Sequence, residues 1–140
     1  MTNREMAEAH LRQAQEILLE AQGLMGRGVW NLVVRRAQEA VELALKAALR
    51  AVGVEVPKIH DVGTMLEDYA ARFPAAAHGD VGRLASISRR LTRERELSFY
   101  GDEAAGAVPQ RLYTSEDAQQ AIQEATFTVQ WCGRLLADPW

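Results

Sequence analysis

The chain has 140 residues and a mass of 15.5 kDa, the size of a single domain built on one core. Apolar residues make up 48% and charged residues 25%, a globular balance that excludes a disordered chain. Sixteen basic against nineteen acidic residues leave a net charge of −3, so no global field draws the protein to nucleic acid or an anionic membrane, and any phosphate binding is local.

After Thr2, the residues Ala7, Leu11, Ala14, Leu18, Ala21 and Met25 step by four and three, which keeps all six on one helical face. Thr2 and Glu5 predict a capping box, and Gly26-Arg27-Gly28 ends the helix. The next segment, Val29 to Val52, carries two stripes: Val33, Ala37, Ala40, Ala44, Ala47 and Ala51, and Val34, Val41, Leu45, Ala48 and Val52. Two apolar faces predict a central helix, and its alanines let neighbouring backbones come close. Arg35, Arg36, Glu39, Glu42, Lys46 and Arg50 form a narrow solvated strip with i,i+4 pairing. Gly53 to His60 reads as a connection, with Gly53 suited to a helix C-cap and Pro57 unable to continue it.

Asp61 then caps a shorter helix bearing Val62, Met65, Leu66, Tyr69, Ala70 and Phe73 and closed by Pro74. His78, after three alanines, reads as loop. Asp80 opens a fourth helix with Val81, Leu84, Ile87 and Leu91 inside and Arg83, Arg89, Arg90, Arg93 and Arg95 around it. Tyr100 to Tyr113 shows no helical pattern and is expected to be an ordered loop, long enough to suggest function. Thr114 or Ser115 caps the last helix, whose stripe is Ala118, Ile122, Ala125, Val129, Cys132 and Leu136. The sum is an all-α, up-and-down bundle of four or five helices over residues 1–140, with no convincing strand.

Several chemistries drop out. No GxxxxGK or GxGxxG loop is present, so P-loop and Rossmann nucleotide cradles are excluded. His10, His60 and His78 lack the i,i+3 or i,i+4 spacing that brings two imidazoles to one metal, and no metal or cofactor is expected. The single cysteine, Cys132, sits on an apolar stripe and reads as a core residue; with no secretory signal and no apolar run of about 20 residues, a cytoplasmic, non-membrane protein is expected. Fourteen arginines against two lysines point to the planar guanidinium as the anion-binding group.

The candidate site is the run Ser88-Arg89-Arg90-Leu91-Thr92-Arg93-Glu94-Arg95-Glu96. Arg89 and Arg93 share a helical face, as do Arg90 and Glu94. One reading is a solvated helix with internal ion pairs. The sharper reading turns Arg93 inward toward Tyr100 and the following loop, where a guanidinium and a ring together take a phosphodiester and a base.

Three segments together resemble the HEPN family, the helical "higher eukaryotes and prokaryotes nucleotide-binding" domain. They are the alanine-rich helix Arg36 to Ala47 with its Gln38, Glu39, Glu42 and Lys46, the turn Pro57-Lys58-Ile59-His60-Asp61-Val62, and the opening Tyr113-Thr114-Ser115-Glu116-Asp117-Ala118. The resemblance covers nearly the whole chain. It implies a four- or five-helix bundle that forms a homodimer with the arginine-bearing loop at the dimer groove. The second and last helices, with Trp131 and Trp140, are candidates for the apolar surface such a dimer covers. His60 is expected to cap and pack its turn.

Many members of that family are metal-independent ribonucleases, marked by an Arg, four to six residues, a His and, one residue later, a Tyr. Arg93 and Tyr100 stand at matching places, but Ser98 occupies the His position. Imidazole titrates near pH 6.5 and shuttles protons to and from a ribose hydroxyl, which serine does not do near neutrality. No catalytic residue is therefore assigned, and Arg93, Ser98, Tyr100 and Arg89 are expected to form a ligand-binding remnant. The expected ligand is a nucleotide, RNA or, as the resemblance implies, a small nucleotidyltransferase partner in a toxin-antitoxin-type module. The alternative is a ribonuclease in which another residue replaces the missing His.

Overall fold

The computed structural model describes residues 1–138, which form an all-α bundle. Its long helices are α1 (Asn3–Gly26), α2 (Trp30–Ala51), α4 (Val81–Arg93) and α6 (Ser115–Ala137). The shorter α3 (Gly63–Asp68) precedes α4, and the single-turn α5 (Leu97–Tyr100) follows it. Among the described residues the only extended pairing is an isolated antiparallel bridge, Asp102 with Ala107, and no helix is long and apolar enough to cross a membrane.

α2 is central because both of its stripes find partners. It packs against α1 and α6, which also touch each other, and against α4 and α5. Val33, Ala37, Ala40, Ala44, Ala47, Val34, Val41, Leu45 and Ala48 are all buried; only Ala51 and Val52, at the end of the helix, are partly open. Alanine at five of these positions leaves no side chain longer than a methyl group to hold the neighbouring helices apart. The helix closes with paired bonds, Gly53 N–H to Arg50 O and Val54 N–H to Leu49 O, each 2.9 Å, the Schellman arrangement that the glycine predicts.

Helix starts follow the sequence with two adjustments. Thr2 Oγ1 accepts from the Glu5 N–H at 3.1 Å, so among the described residues only the threonine half of the expected capping box forms. At α6 the box is complete: Thr114 Oγ1 accepts from Asp117 N–H at 3.2 Å, and Asp117 Oδ2 accepts from Thr114 N–H at 2.9 Å. Asp61 sits one residue before the N-cap of α3, which is Val62; its carboxylate accepts from Gly63 N–H and from Ser88 Oγ on α4. That tie holds α3 hard against α4. A Cβ on Gly63 would lie 2.8 Å from the carbonyl oxygen of Ala85, so only glycine permits this approach.

Elsewhere the chain is more ordered, or shorter, than its periodicity suggests. α3 stops at Asp68 and a 3₁₀ turn, Ala70–Arg72, completes the path to Phe73. Ala75–Asp80, expected to be loop, is 3₁₀ helix, closed by a His78 imidazole that bonds the Phe73 carbonyl at 2.8 Å. The stretch from Tyr100 to Tyr113 is the expected ordered loop, with one 3₁₀ turn at Pro109–Arg111. Trp131 is 2% exposed and stacks edge-on against Phe73 at 5.3 Å, so it belongs to the core and not to a surplus outer surface. Trp140 lies outside the described residues.

Ala44 is fully buried at the middle of α2. Ala44→Asp is expected to cost about 3 kcal/mol or more by placing an unpaired carboxylate in a closed helix contact. Urea unfolding of this variant beside an exposed-site control such as Gln123→Asp measures the difference.

Candidate functional site

The polar strip of α2 organises the region around the arginine run. Gln38, Glu42 and Lys46 fall four residues apart and so share a face. Glu42 is the hub. Its Oε1 accepts from Gln38 Nε2 and from His60 Nδ1, each at 2.9 Å, and its Oε2 accepts from Lys46 Nζ at 3.0 Å. Arg95 Nη1 donates to Gln38 Oε1 at 2.9 Å and lies 4.0 Å from Glu42. Burial alone would raise the Glu42 pKa, but the donors from Gln38, Lys46 and His60 outweigh it and hold the carboxyl below its ordinary range. The strip is therefore less solvated than expected, and His60 links its connection to α2 instead of capping α3.

The arginines around α4 are nearly all committed. Arg83 lies over the Phe127 ring at 3.8 Å, Arg89 pairs with Glu67 at 2.8 Å, Arg90 pairs with Glu124 of α6, and Arg95 enters the α2 hub. Arg90 and Glu94 do not pair with each other as their spacing suggests, because Glu94 instead accepts from the Tyr113 hydroxyl at 2.6 Å. Arg93, the last residue of α4, is exposed and makes no ion pair or hydrogen bond among the described residues. Its side chain does not turn inward toward the loop.

From Glu94 to Gly101 the backbone is held from beneath. Arg35 Nη1 donates to the Arg95 carbonyl at 2.7 Å, Asn31 Nδ2 donates to the Ser98 carbonyl at 3.1 Å, and Ser98 N–H donates to the Glu94 carbonyl at 2.8 Å. Ser98 itself is fully buried, and its hydroxyl donates to the Arg95 carbonyl at 3.2 Å. It supports the turn and does not face solvent. The next two residues do: Phe99 is 44% and Tyr100 57% exposed, their rings edge to face at 5.0 Å, with the Arg35 guanidinium 4.7 Å from the Phe99 ring centre. Gly101 then turns the chain at φ +74, where an added Cβ would fall 2.3 Å from the Ala107 carbonyl oxygen.

A cleft of about 260 Å³ opens beside this segment, walled by Val34, Leu91 and Leu97 and edged by Arg90, Glu94, Tyr113 and Asp117. Burial and the neighbouring Glu94 push the Tyr113 phenol well above its ordinary range, so it stays a neutral donor. Arg90 is paired with Glu124 and two carboxylates stand at the rim, so this cleft offers an anion no unpaired cation. Of the four residues expected at the site, Arg93 and Tyr100 lie exposed at the two ends of one short segment, Ser98 is sealed beneath it, and Arg89 is paired elsewhere. Cys132 is fully buried, and burial pushes its thiol up, which suits a core residue and not a nucleophile. Among the described residues, no three His, Cys, Asp or Glu side chains converge as metal ligands.

The fold and its half-buried carboxylate hub define a helical domain built around a central helix with one polar strip. The HEPN domain family matches residues 7–135, nearly the whole chain, and the protein belongs to that family. Its fold is similar to the crystal structure of TT1696 from Thermus thermophilus, with 25% identity and a TM-score of 0.74 over 91% of this chain and 96% of that one. No curated protein sequence matches the chain.

Glu42→Gln is expected to lower stability at pH 7 by about 1 to 3 kcal/mol, because Lys46 and His60 lose a charged acceptor. Since the folded carboxyl titrates below its unfolded value near 4.3, its contribution is present above that pH and is lost as pH falls through the folded value. Wild type and variant should therefore converge in urea midpoint as pH is lowered from about 5 to about 3.

Proposed function

We propose that this HEPN protein is a non-catalytic binding module whose working surface is the outer edge of the 93–100 segment, and that its ligand is a nucleotide or single-stranded RNA. The observation that carries the reading is the state of Arg93. Its arginine neighbours on and beside α4 are each bound to an acid, an amide or a ring, whereas Arg93 is exposed and unpaired among the described residues. A free guanidinium offers a bidentate fork to phosphate, and the exposed rings of Phe99 and Tyr100 offer stacking to a base on the surface that Arg35 and their mutual edge-to-face contact leave open. With a net charge of −3, attraction at long range is weak and the contact depends on these few groups.

The absence of catalysis is supported by the chemistry of the segment. Ser98 takes the place where the family's ribonucleases carry an imidazole, and its hydroxyl is already bound to a backbone carbonyl. Of the histidines, His60 is bound to Glu42, His78 to the Phe73 carbonyl, and His10 lies on α1. None belongs to the segment that would need a proton carrier.

A second reading is favoured by a separate observation. Leu97, Phe99, Tyr100, Val108 and Leu112 are exposed large side chains from one stretch, the kind of surface that a protein contact covers. On this reading the same edge joins two copies of the chain, or docks a small nucleotidyltransferase as in toxin-antitoxin-type modules. The two readings are compatible if the ligand lies at the rim of the interface.

Arg93→Ala is expected to weaken binding of a short unstructured RNA roughly tenfold to a hundredfold, and to make the slope of log affinity against log salt shallower by about one. Arg89→Ala should cost much less, since that guanidinium is held by Glu67. Equal losses would reduce the site to a diffuse basic helix, and metal-free cleavage of the RNA by the wild type would replace this reading with the ribonuclease one.

Sedimentation at micromolar concentration is expected to give about twice the 15.5 kDa chain mass. Phe99→Glu, on the exposed edge, should return the protein to a monomer.

A further inference from the structure

Another cavity, of about 120 Å³, lies between α1 and α2, beside Lys46 of the Glu42 hub. Its lining is His10 from α1, Leu43, Lys46 and Arg50 from α2, and Val56 from the following connection. No carboxylate lines it. Three nitrogen-bearing side chains from two helices therefore face one small space with apolar walls.

Each of the three has unused hydrogen-bonding capacity. Arg50 Nη1 makes only weak contacts, 3.5 Å to Asn3 Oδ1, at the limit of hydrogen-bond length, and 3.8 Å to the poor acceptor Met6 Sδ, and its other N–H groups have no partner among the described residues. Lys46 gives one bond to Glu42 and has further N–H donors, while that carboxylate is already divided among Gln38, His60 and Lys46. His10 Nδ1 is a buried nitrogen with no hydrogen-bond partner among the described residues. A buried polar atom left unsatisfied is costly, and native structures seldom retain one without a water, ion or ligand to meet it. The volume equals about four waters, enough for one tetrahedral oxyanion but not for a nucleotide.

We propose that the His10–Lys46–Arg50 cavity binds a phosphate group, either inorganic phosphate or the terminal phosphate of a small monoester whose remainder projects into solvent. Arg50 supplies the fork, Lys46 a compact positive charge, and His10 a directed N–H. The proposal is independent of Arg93, which lines no part of this cavity. The competing account of Arg50 is a cation in the last turn of α2 that answers the helix dipole. Such a role changes stability equally in chloride and in phosphate.

The test is calorimetric titration with inorganic phosphate and, separately, with phenyl phosphate, in a chloride buffer of constant ionic strength. The ring nitrogens of His10 are followed by NMR in the same titrations. Saturable binding with a shift at His10 is expected in the wild type and in Arg93→Ala. Arg50→Gln should weaken it roughly tenfold or more. Val56→Glu removes no cation but places a carboxylate at the wall, and should abolish binding even if Arg50→Gln proves too unstable to assay. Tighter binding of either probe supports the site and identifies which source of phosphate it prefers. The proposal is overturned by heat no greater than the chloride blank, by an unmoved His10, or by binding lost in Arg93→Ala and kept in Val56→Glu.

Discussion

The arrangement depends on one carboxylate. Glu42 lies on the most enclosed helix of the bundle, where desolvation works against its charge, and it stays ionised because three donors from two segments converge on it. A partly buried charge of this kind is costly to strip of its partners, so the partners are held as firmly as the charge. His60 draws the 53–62 connection onto α2, and Arg95, through Gln38, draws in the link between α4 and α5. Two connecting pieces of chain are thereby tied to α2 by polar contacts, beside the apolar packing of Val54 and Val62 in the first of them. The surface edge at Arg93 and Tyr100 takes its geometry from this contact at Arg95 together with the Arg35 and Asn31 bonds to the Arg95 and Ser98 carbonyls.

A similar competition for partners explains which groups remain available outside. Guanidinium groups compete for acids and rings, and around α4 the geometry of the bundle decides the outcome: α3 provides Glu67, α6 provides Glu124 and Phe127, and α2 provides Gln38. Arg93 stands at the end of its helix, where the chain turns away. Its availability is a product of position, since nothing in its own chemistry differs from that of its neighbours. Ser98 is the complement. It lies at the inner face of the following turn, where a small hydroxyl can satisfy a carbonyl at close range.

Helices were legible in the sequence because burial in a bundle imposes a strong period, and the double stripe from Val33 to Val52 identified the central one. Capping chemistry placed the start of α6 at Thr114 or Ser115, and Thr114 is the cap. Two kinds of feature were not legible. The 3₁₀ segment at Ala75–Asp80 and the early end of α3 depend on packing and carry no period of their own. Side-chain partners across long separations, such as Arg90 with Glu124 or Arg35 with the Arg95 carbonyl, cannot be inferred from spacing along one helix, which is why the expected Arg90–Glu94 pair did not form. The hub was half legible: Gln38, Glu42 and Lys46 stood at helical intervals, but nothing near them announced His60 or Arg95 as the groups that complete it. Likewise, the apolar surface expected on α2 and α6 is largely covered inside the bundle, and apart from Met1 and Leu19 the exposed large apolar side chains come from the 97–112 stretch, where no periodicity marks them.

The central helix also has a kinetic consequence. One of its neighbours, α1, is adjacent in sequence and joined by a tight turn, while the other, α6, is reached only after all the intervening elements. Closing the long loop carries an entropic cost that the short hairpin does not, which favours local pairing of α1 with α2 ahead of the docking of α6. In that order of assembly the α6-facing side of α2 stays open to water until the last helix arrives. Arg4 on α1 reaches the Leu136 carbonyl near the end of α6, a contact that requires the last helix to be seated.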